Sequence, residues 1–460
     1  MRIMKNLPQI FIFSLIMSGV LVSLSTAQSE LPARGTALGV GARAMGLGGA
    51  FSSVADDYTA TYWNPAGLAL IRRMEFFTSF QNMKFQNETS YSGYYQSNDE
   101  SFTKMDAIGF AFPVPTYRGS LVFAFGYNRV HQYDEVLSFS WFNPTYNEAN
   151  PDLNDEMTES WDNLEKGHLG QYTISGAVDI SPNLSLGASL NFWRGKNDFE
   201  STYEAKDDSN FWTLDYLGID EVINSELSAT NFKLGAMYRM GEIMRFSGTI
   251  DLPYTLKIDE ESSYHDKEIW ESEEYVGEQE IYEDRSNYSF DYKIRTPFRF
   301  GAGASFYLPW LTLAGDLQFT DWSQMEYKTD PPFAKSTPVW IDGEAVYYDS
   351  TQTEINRDIR KRYRATTRIN LGAEFTIPAI YTQLRSGISY VPSPFKDASS
   401  ENNRKFFTLG AGILLDKQMK LDLAWVHGWW QEQGRFTEDI HTLKKDITMN
   451  HFEVSLAVRF

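Results

Sequence analysis

Six histidines are the imidazoles this chain has for acid–base or metal work: His131, His168, His265, His427, His441 and His451. No two stand at the spacing that would put a ligand pair on one helix face, and no Gly-x-Ser-x-Gly elbow presents a nucleophile. There is no cysteine, which removes disulfides, thiolate metal sites and lipid attachment through an N-terminal Cys. Asp316, Glu374, Asp422 and Glu453 sit on segments of alternating polarity. Their expected partners are the bases Lys293, Arg295, Arg299, Arg364, Arg368 and Lys420, because buried carboxylates need neutralising cations. The expectation is therefore not an enzyme, with no cofactor and no metal site.

The other chemically suggestive stretch is glycine-rich, GVGARAMGLGGAF from Gly39 to Phe51. It lacks both the G-x-G-x-x-G spacing and a Walker Lys-Ser/Thr, so it is a poor nucleotide loop. Small residues let backbone pack closely, as a segment folded inside another structure must. Downstream, Asp56 or Asp57 is placed to cap a short helix, which Asn64-Pro65 would end.

The elements that must position these residues are strands. The chain has 460 residues, 42% hydrophobic, with a formal charge of -20. Its mean hydropathy of -0.39 argues against a bundle of membrane helices. It does not exclude a membrane barrel, where only alternate residues face lipid. A negative balance makes a nucleic-acid partner unlikely. Arg2 and Lys5 precede an apolar run from Ile10 to Leu24 and small residues up to Ala27. That reads as an export signal over 1–27, removed after Ala27. At the other end Phe452, Val454, Leu456, Val458 and Phe460 alternate with Glu453, Ser455, Ala457 and Arg459. A final alternating strand ending in Phe resembles the signal that barrel assembly machinery reads.

The same period of two predicts fourteen strands. They begin near Met74, Phe102, Gly119, Gly167, Asn183, Glu226, Ile243, Tyr288, Trp310, Tyr363, Tyr381, Lys405, Met419 and Asp446. Even-numbered connections are short, as at Ser181-Pro182 and Leu308-Pro309. Odd-numbered ones are long: His131 to Lys166, Lys196 to Ser225, Asp259 to Asn287 and Lys328 to Arg362. Short turns on one side and long loops on the other match bacterial outer-membrane barrels. Asp259 to Arg285 holds 12 acids and two bases, a solvated outer surface or, less favoured, a divalent-cation site bridging to lipopolysaccharide phosphates.

The sequence GARAMGLGGAFSSVADDYTATYWNPAGLA closely resembles the N-terminal hatch of the FadL/TodX family of outer-membrane transporters for hydrophobic compounds. It also resembles the related PorV-like proteins of a secretion apparatus. The resemblance implies an all-β, 14-stranded antiparallel transmembrane barrel over 74–460, with a hatch over 28–73 in its lumen. By resemblance Asn64, Pro65, Ala66 and Gly67 carry the hatch motif, with Asp56 and Asp57 ahead of it. The family implies ligand inside the barrel and sideways exit at a kinked strand.

Three functions follow: hatch-gated passive uptake of small hydrophobic molecules of fatty-acid or hydrocarbon type, with lateral exit into the membrane, which is preferred; a PorV-like secretion or assembly component; and a structural or adhesive barrel. The partners expected are a hydrophobic ligand, outer-membrane lipid and lipopolysaccharide, and the assembly machinery, around a monomer. The small inward residues Ala107, Gly109, Ala124 and Gly126 mark a candidate substrate path. Either free space lies beside them or the hatch fills it.

Overall fold

No backbone polar group can stay unpaired in a lipid core, so a spanning sheet must close on itself. The computed structural model of the chain shows such a closure. It describes residues 39–91, 93–143, 157–208, 214–271, 278–331, 337–341, 344–348, 352–435 and 442–460. The expected export signal lies outside these residues.

In chain order the strands are β1 (Glu75–Tyr91), β2 (Tyr94–Val114), β3 (Leu121–Gln132), β4 (Glu135–Asn143), β5 (Met157–Ser181), β6 (Leu184–Asp207) and β7 (Leu214–Met240). Then come β8 (Met244–Asp251), β9 (Thr255–Glu271), β10 (Gln279–Arg295), β11 (Arg299–Tyr307), β12 (Leu311–Asp321) and β13 (Glu326–Tyr327). β14 (Thr337–Ile341) and β15 (Glu344–Tyr348) form a separate ribbon. The series ends with β16 (Ala365–Ile377), β17 (Thr382–Val391), β18 (Arg404–Leu414), β19 (Met419–Arg435) and β20 (Thr442–Arg459).

The ring runs β1, β2, β3, β5, β6, β7, β8, β11, β12, β16, β17, β18, β19, β20 and back to β1, which makes fourteen antiparallel strands. The last link pairs Glu75 with Arg459 through to Ser90 with Lys444. β4 continues β3 along the edge of β5, and β9 continues β8 along β7. β10 and β9 form a long hairpin above β8 and β11. Asp251–Arg299 below and Thr255–Arg295 above share one register, so Pro253 and Pro297 stand opposite each other where both strands break. Neither proline has an N–H to give to the ladder.

Alternation sorts the wall into two faces. On β20, Phe452 and Val454 are 53% and 44% exposed, while His451, Glu453 and Ser455 are at 2%, 1% and 2%. Apolar side chains face lipid and polar ones face the lumen, as in outer-membrane barrels.

Strands expected near Asn183, Ile243, Trp310, Tyr381 and Met419 begin at Leu184, Met244, Leu311, Thr382 and Met419. Other strands start much earlier than expected: β2 at Tyr94, β5 at Met157, β7 at Leu214 and β10 at Gln279. The long connections over 196–225 and 259–287 are thus mostly strand, not loop. There both faces carry polar residues, such as Asp220 and Asn224 outward of Ile219 and Ile223 on β7, and the apolar-polar alternation fades. Among the described residues no cluster of His, Asp and Glu is placed to hold a metal ion, the acidic β9–β10 hairpin included.

A lysine at Val454 should cost about 2–4 kcal/mol if that position lies mid-membrane. The check is the yield of heat-modifiable barrel in outer membranes, which should fall for Val454→Lys and stay normal for Val454→Leu. The chain has no cysteine, so single-cysteine labelling is clean. Cysteine at Arg285, on the β10 ribbon, should react with an impermeant maleimide on intact cells; cysteine at Asn183, in a short turn, should not. The reverse pattern would invert the orientation.

Candidate functional site

Small residues dominate the segment from Gly39 to Ile71, and the fold uses them to pack it against the inner wall. α1 (Ala42–Gly46), α2 (Ala60–Trp63) and a 3-10 helix (Pro65–Leu70) are its elements. Val40, Leu47, Phe51, Val54, Tyr58 and Leu68 are wholly buried in one cluster with wall residues Ala107, Ala111, Val122 and Ala124.

The motif residues build the turn between the two short helices. Asn64 is extended at φ -156 and ψ 106, the conformation a following proline favours, and ends α2. Pro65 opens the 3-10 helix, and Asn64 Oδ1 accepts the Ala66 N–H at 3.1 Å. Asn64 Nδ2 donates to Ser52 O at 2.9 Å and to Ala236 O on β7 at 3.2 Å. A side chain on the neighbouring Gly235 would collide with Asn64, and one on Gly187 with Pro65. Gly67 packs against the Ala55 backbone. Asp57 Oδ1 accepts the Thr59 N–H at 2.9 Å, and Asp56 pairs with Arg43 at 2.5 Å.

Charge ties this hatch to the wall. Arg43 Nε lies 3.1 Å from Glu374 Oε2, Arg385 Nε 2.7 Å from the same oxygen, and Arg385 Nη1 2.7 Å from Asp422 Oδ1. Lys420 Nζ is 3.5 Å from Asp422. Asp56, Arg43, Glu374, Arg385, Asp422 and Lys420 therefore alternate in sign from hatch to wall. Asp316 takes the Phe51 and Ser52 N–H groups at 2.7 and 2.8 Å, as an anion does at clustered backbone donors. Of the ion pairs expected from sequence, Lys420–Asp422 is formed. Glu374 uses Arg43 and Arg385 instead, and Asp316 uses the hatch backbone. Arg43 lay in the glycine-rich motif, and Arg385 follows the inward alternation of β17. Both were readable as lumenal bases.

Ala107, Gly109, Ala124 and Gly126 do lie together on the inner wall of β2 and β3, with Gly109 paired to Gly126 and Ala107 to Asn128. The space beside the two glycines holds Tyr58, whose ring a side chain at Gly109 would overlap. Gly126 is paired on both edges, to Gly109 and to Thr173. The ladder between β2 and β3 runs past Gly126 and ends two residues further along. A bulge leaves Asp106 unpaired on β1, where Ser79 faces Ala107 and Phe80 faces Met105. Bulges bend a strand away from its neighbour. From there the β2–β3 ladder stops at Ala107–Asn128, although β2 stays paired to β1 as far as Tyr94. Side chains bridge this seam. Arg129 Nε donates to Met105 O at 3.1 Å, Lys104 Nζ reaches Asp134 Oδ1 at 2.7 Å, and Asn98 Nδ2 donates to Ser138 O at 2.6 Å.

Above the hatch the lumen holds a pocket floored by Tyr62 and walled by Trp193 and Tyr254. A second, smaller space, lined by Asp106, Arg129 and His131, adjoins it at Val130 and reaches the seam.

A closed fourteen-stranded barrel with a seated hatch and a lumenal cavity defines an outer-membrane transport barrel. Residues 26–455 match the model of the family described as outer membrane protein transport protein (OMPP1/FadL/TodX). The chain belongs to this family, whose members are transport channels of the Gram-negative outer membrane and not enzymes. Its fold is similar to that of a Pseudomonas aeruginosa FadL homologue, at 13% identity, TM-score 0.61, 93% of this chain and 100% of that one. It is also similar to the P. putida toluene transporter TodX, at 14% identity, TM-score 0.57, 92% of this chain and 99% of that one. The Ralstonia pickettii toluene transporter TbuX follows at 14% identity, TM-score 0.52, with 92% and 99% covered. Compared with curated proteins, the chain has no matching relative.

Asn64→Ala would leave buried partners on Ser52, Ala66 and Ala236 without Asn64, at about 1–3 kcal/mol for each group stranded. The expected result is a hatch that limited proteolysis cuts more readily, in a barrel that still migrates as folded. Unchanged cleavage would show that the motif does not hold the hatch in place.

Proposed function

We propose that the chain passes small hydrophobic molecules across the outer membrane by diffusion, with the hatch seated and the ligand leaving sideways between β2 and β3. The observation that carries this reading is the seam. It is the edge where two wall strands, both paired on their far sides, lose their shared ladder beyond Ala107–Asn128. Only a short step separates it from the aromatic cavity, through the second space at Val130. The hatch supports the same route. Its polar groups are bonded to β6, β7, β12, β16 and β18, so movement through the floor would strand many of them at once. The toluene channels of similar fold point to the same class of cargo, small and apolar.

Cysteines at Lys104 and Asp134, bridged by a short bis-maleimide, should hold the seam shut and cut uptake of labelled toluene into proteoliposomes to near background. Each single-cysteine variant treated alike should keep its uptake. Normal uptake in the bridged protein would move the exit elsewhere.

A further inference from the structure

Hydrogen-bonding groups that line a ligand's own path are costly to desolvate unless the ligand answers them. The cavity above the hatch is rich in them. Gln171, Asn231, Gln318, Lys233, Asp251 and Arg299 all line it. Lys233 and Asp251 answer each other at 3.3 Å. Asn231 Oδ1 accepts the Trp193 indole N–H at 2.9 Å. Gln171 is 3% exposed, and among the described residues it makes no side-chain hydrogen bond. Arg299 lies over the Trp322 ring at 5.7 Å, and among the described residues no carboxylate stands within ion-pair distance of it. A guanidinium so placed, in a chain of formal charge -20, is a local reversal of sign.

The rest of the lining is three aromatic rings, Tyr62, Trp193 and Tyr254, together with Val130, Leu252 and Pro297. Trp193 and Tyr254 stack with centroids 5.4 Å apart and planes at 15°. His131 stacks on Trp193 at 5.8 Å and the same angle. Tyr62 supplies the floor, with Lys233 Nζ 5.4 Å from its ring. Planar π faces favour an aromatic ligand. The guanidinium favours a carboxylate, which it can meet with two parallel hydrogen bonds. The amides favour further oxygen atoms on the ring. Arg129, on the route to the seam, adds a second cation along the path.

We infer that this cavity selects an oxygenated aromatic acid, a ring bearing a carboxylate and a hydroxyl, with Arg299 as the residue that meets the carboxylate and Gln171 and Gln318 as partners for the ring oxygens. The inference rests on the transport reading above, keeps its route and replaces its hydrocarbon cargo with an aromatic anion. A long acyl chain would leave the amides unanswered, and toluene would leave Arg299 unanswered as well.

Proteoliposomes holding the full chain would be offered labelled 4-hydroxybenzoate, its methyl ester and toluene. The acid should be taken up saturably and in preference to the ester. Arg299→Gln should lower the ratio of acid to ester uptake about tenfold to a hundredfold, the range for losing a charge-assisted hydrogen bond. Arg299→Lys keeps the positive charge and should restore most of the ratio, which separates loss of binding from loss of folding. Gln171→Leu should lower uptake of 4-hydroxybenzoate and of its methyl ester, which both carry the ring hydroxyl, more than that of toluene. Uptake of toluene without the acid, or an acid-to-ester ratio unmoved by Arg299→Gln, overturns the inference and leaves the transport reading standing. Uptake of none of the three overturns both.

Discussion

Pairing of β1 with β20, from Glu75–Arg459 to Ser90–Lys444, removes the two edges that an open sheet would expose to lipid. That closure sets the face of every residue in the ring. A slip of one residue would turn His451, Glu453 and Ser455 outward and Phe452 and Val454 into the lumen. The closure is also joined to the hatch. Glu75 accepts Arg459 Nε at 2.6 Å across the closing ladder, and its other oxygen takes the Tyr58 N–H at 2.7 Å. One inward carboxylate thus bonds the last strand and the plug together.

Alternation of charge does for the plug what alternation of polarity does for the wall. Six groups from Asp56 to Lys420 compensate one another in sequence. Removing one member of such a chain leaves an uncompensated buried charge, which is far costlier than the pair is stabilising. Balance on that side of the lumen contrasts with the cavity above, where Arg299 has no carboxylate among the described residues. Among the described residues, the charges that seat the hatch are neutralised one by another, while Arg299 faces the cavity without such a partner.

Much of the barrel was legible because lipid imposes a strict period of two. The strand starts at Leu184, Leu311 and Met419 fall within a residue of their expected places. Legibility failed at the outer ends, where β7 runs on to Leu214 and β10 to Gln279. Water replaces lipid there, so the outer face is free to be polar and the period no longer shows. The hatch motif was readable as a motif, and Asn64-Pro65 as a helix stop. What Asn64 bonds was not, because Ala236 lies on a strand far along the chain. The small residues Gly109 and Gly126 signalled close approach without saying of what, and the occupant is Tyr58. The end of the β2–β3 ladder carries no such signal: a bulge at Asp106 redirects β2, and a bulge follows from unequal spacing between two strands rather than from a residue type.

The opposed prolines at 253 and 297 uncouple the β9–β10 ribbon from the ring. They sit where the hairpin leaves the ring, and above them β9 and β10 share the register of β8 and β11 without sharing an unbroken ladder. Ladder hydrogen bonds are what would transmit a change of length or twist from one half to the other. With both donors missing at one level, insertions and substitutions in the ribbon are insulated from the wall below. A change of length in the ribbon is thereby absorbed at the level of the prolines, and the ring below keeps its register.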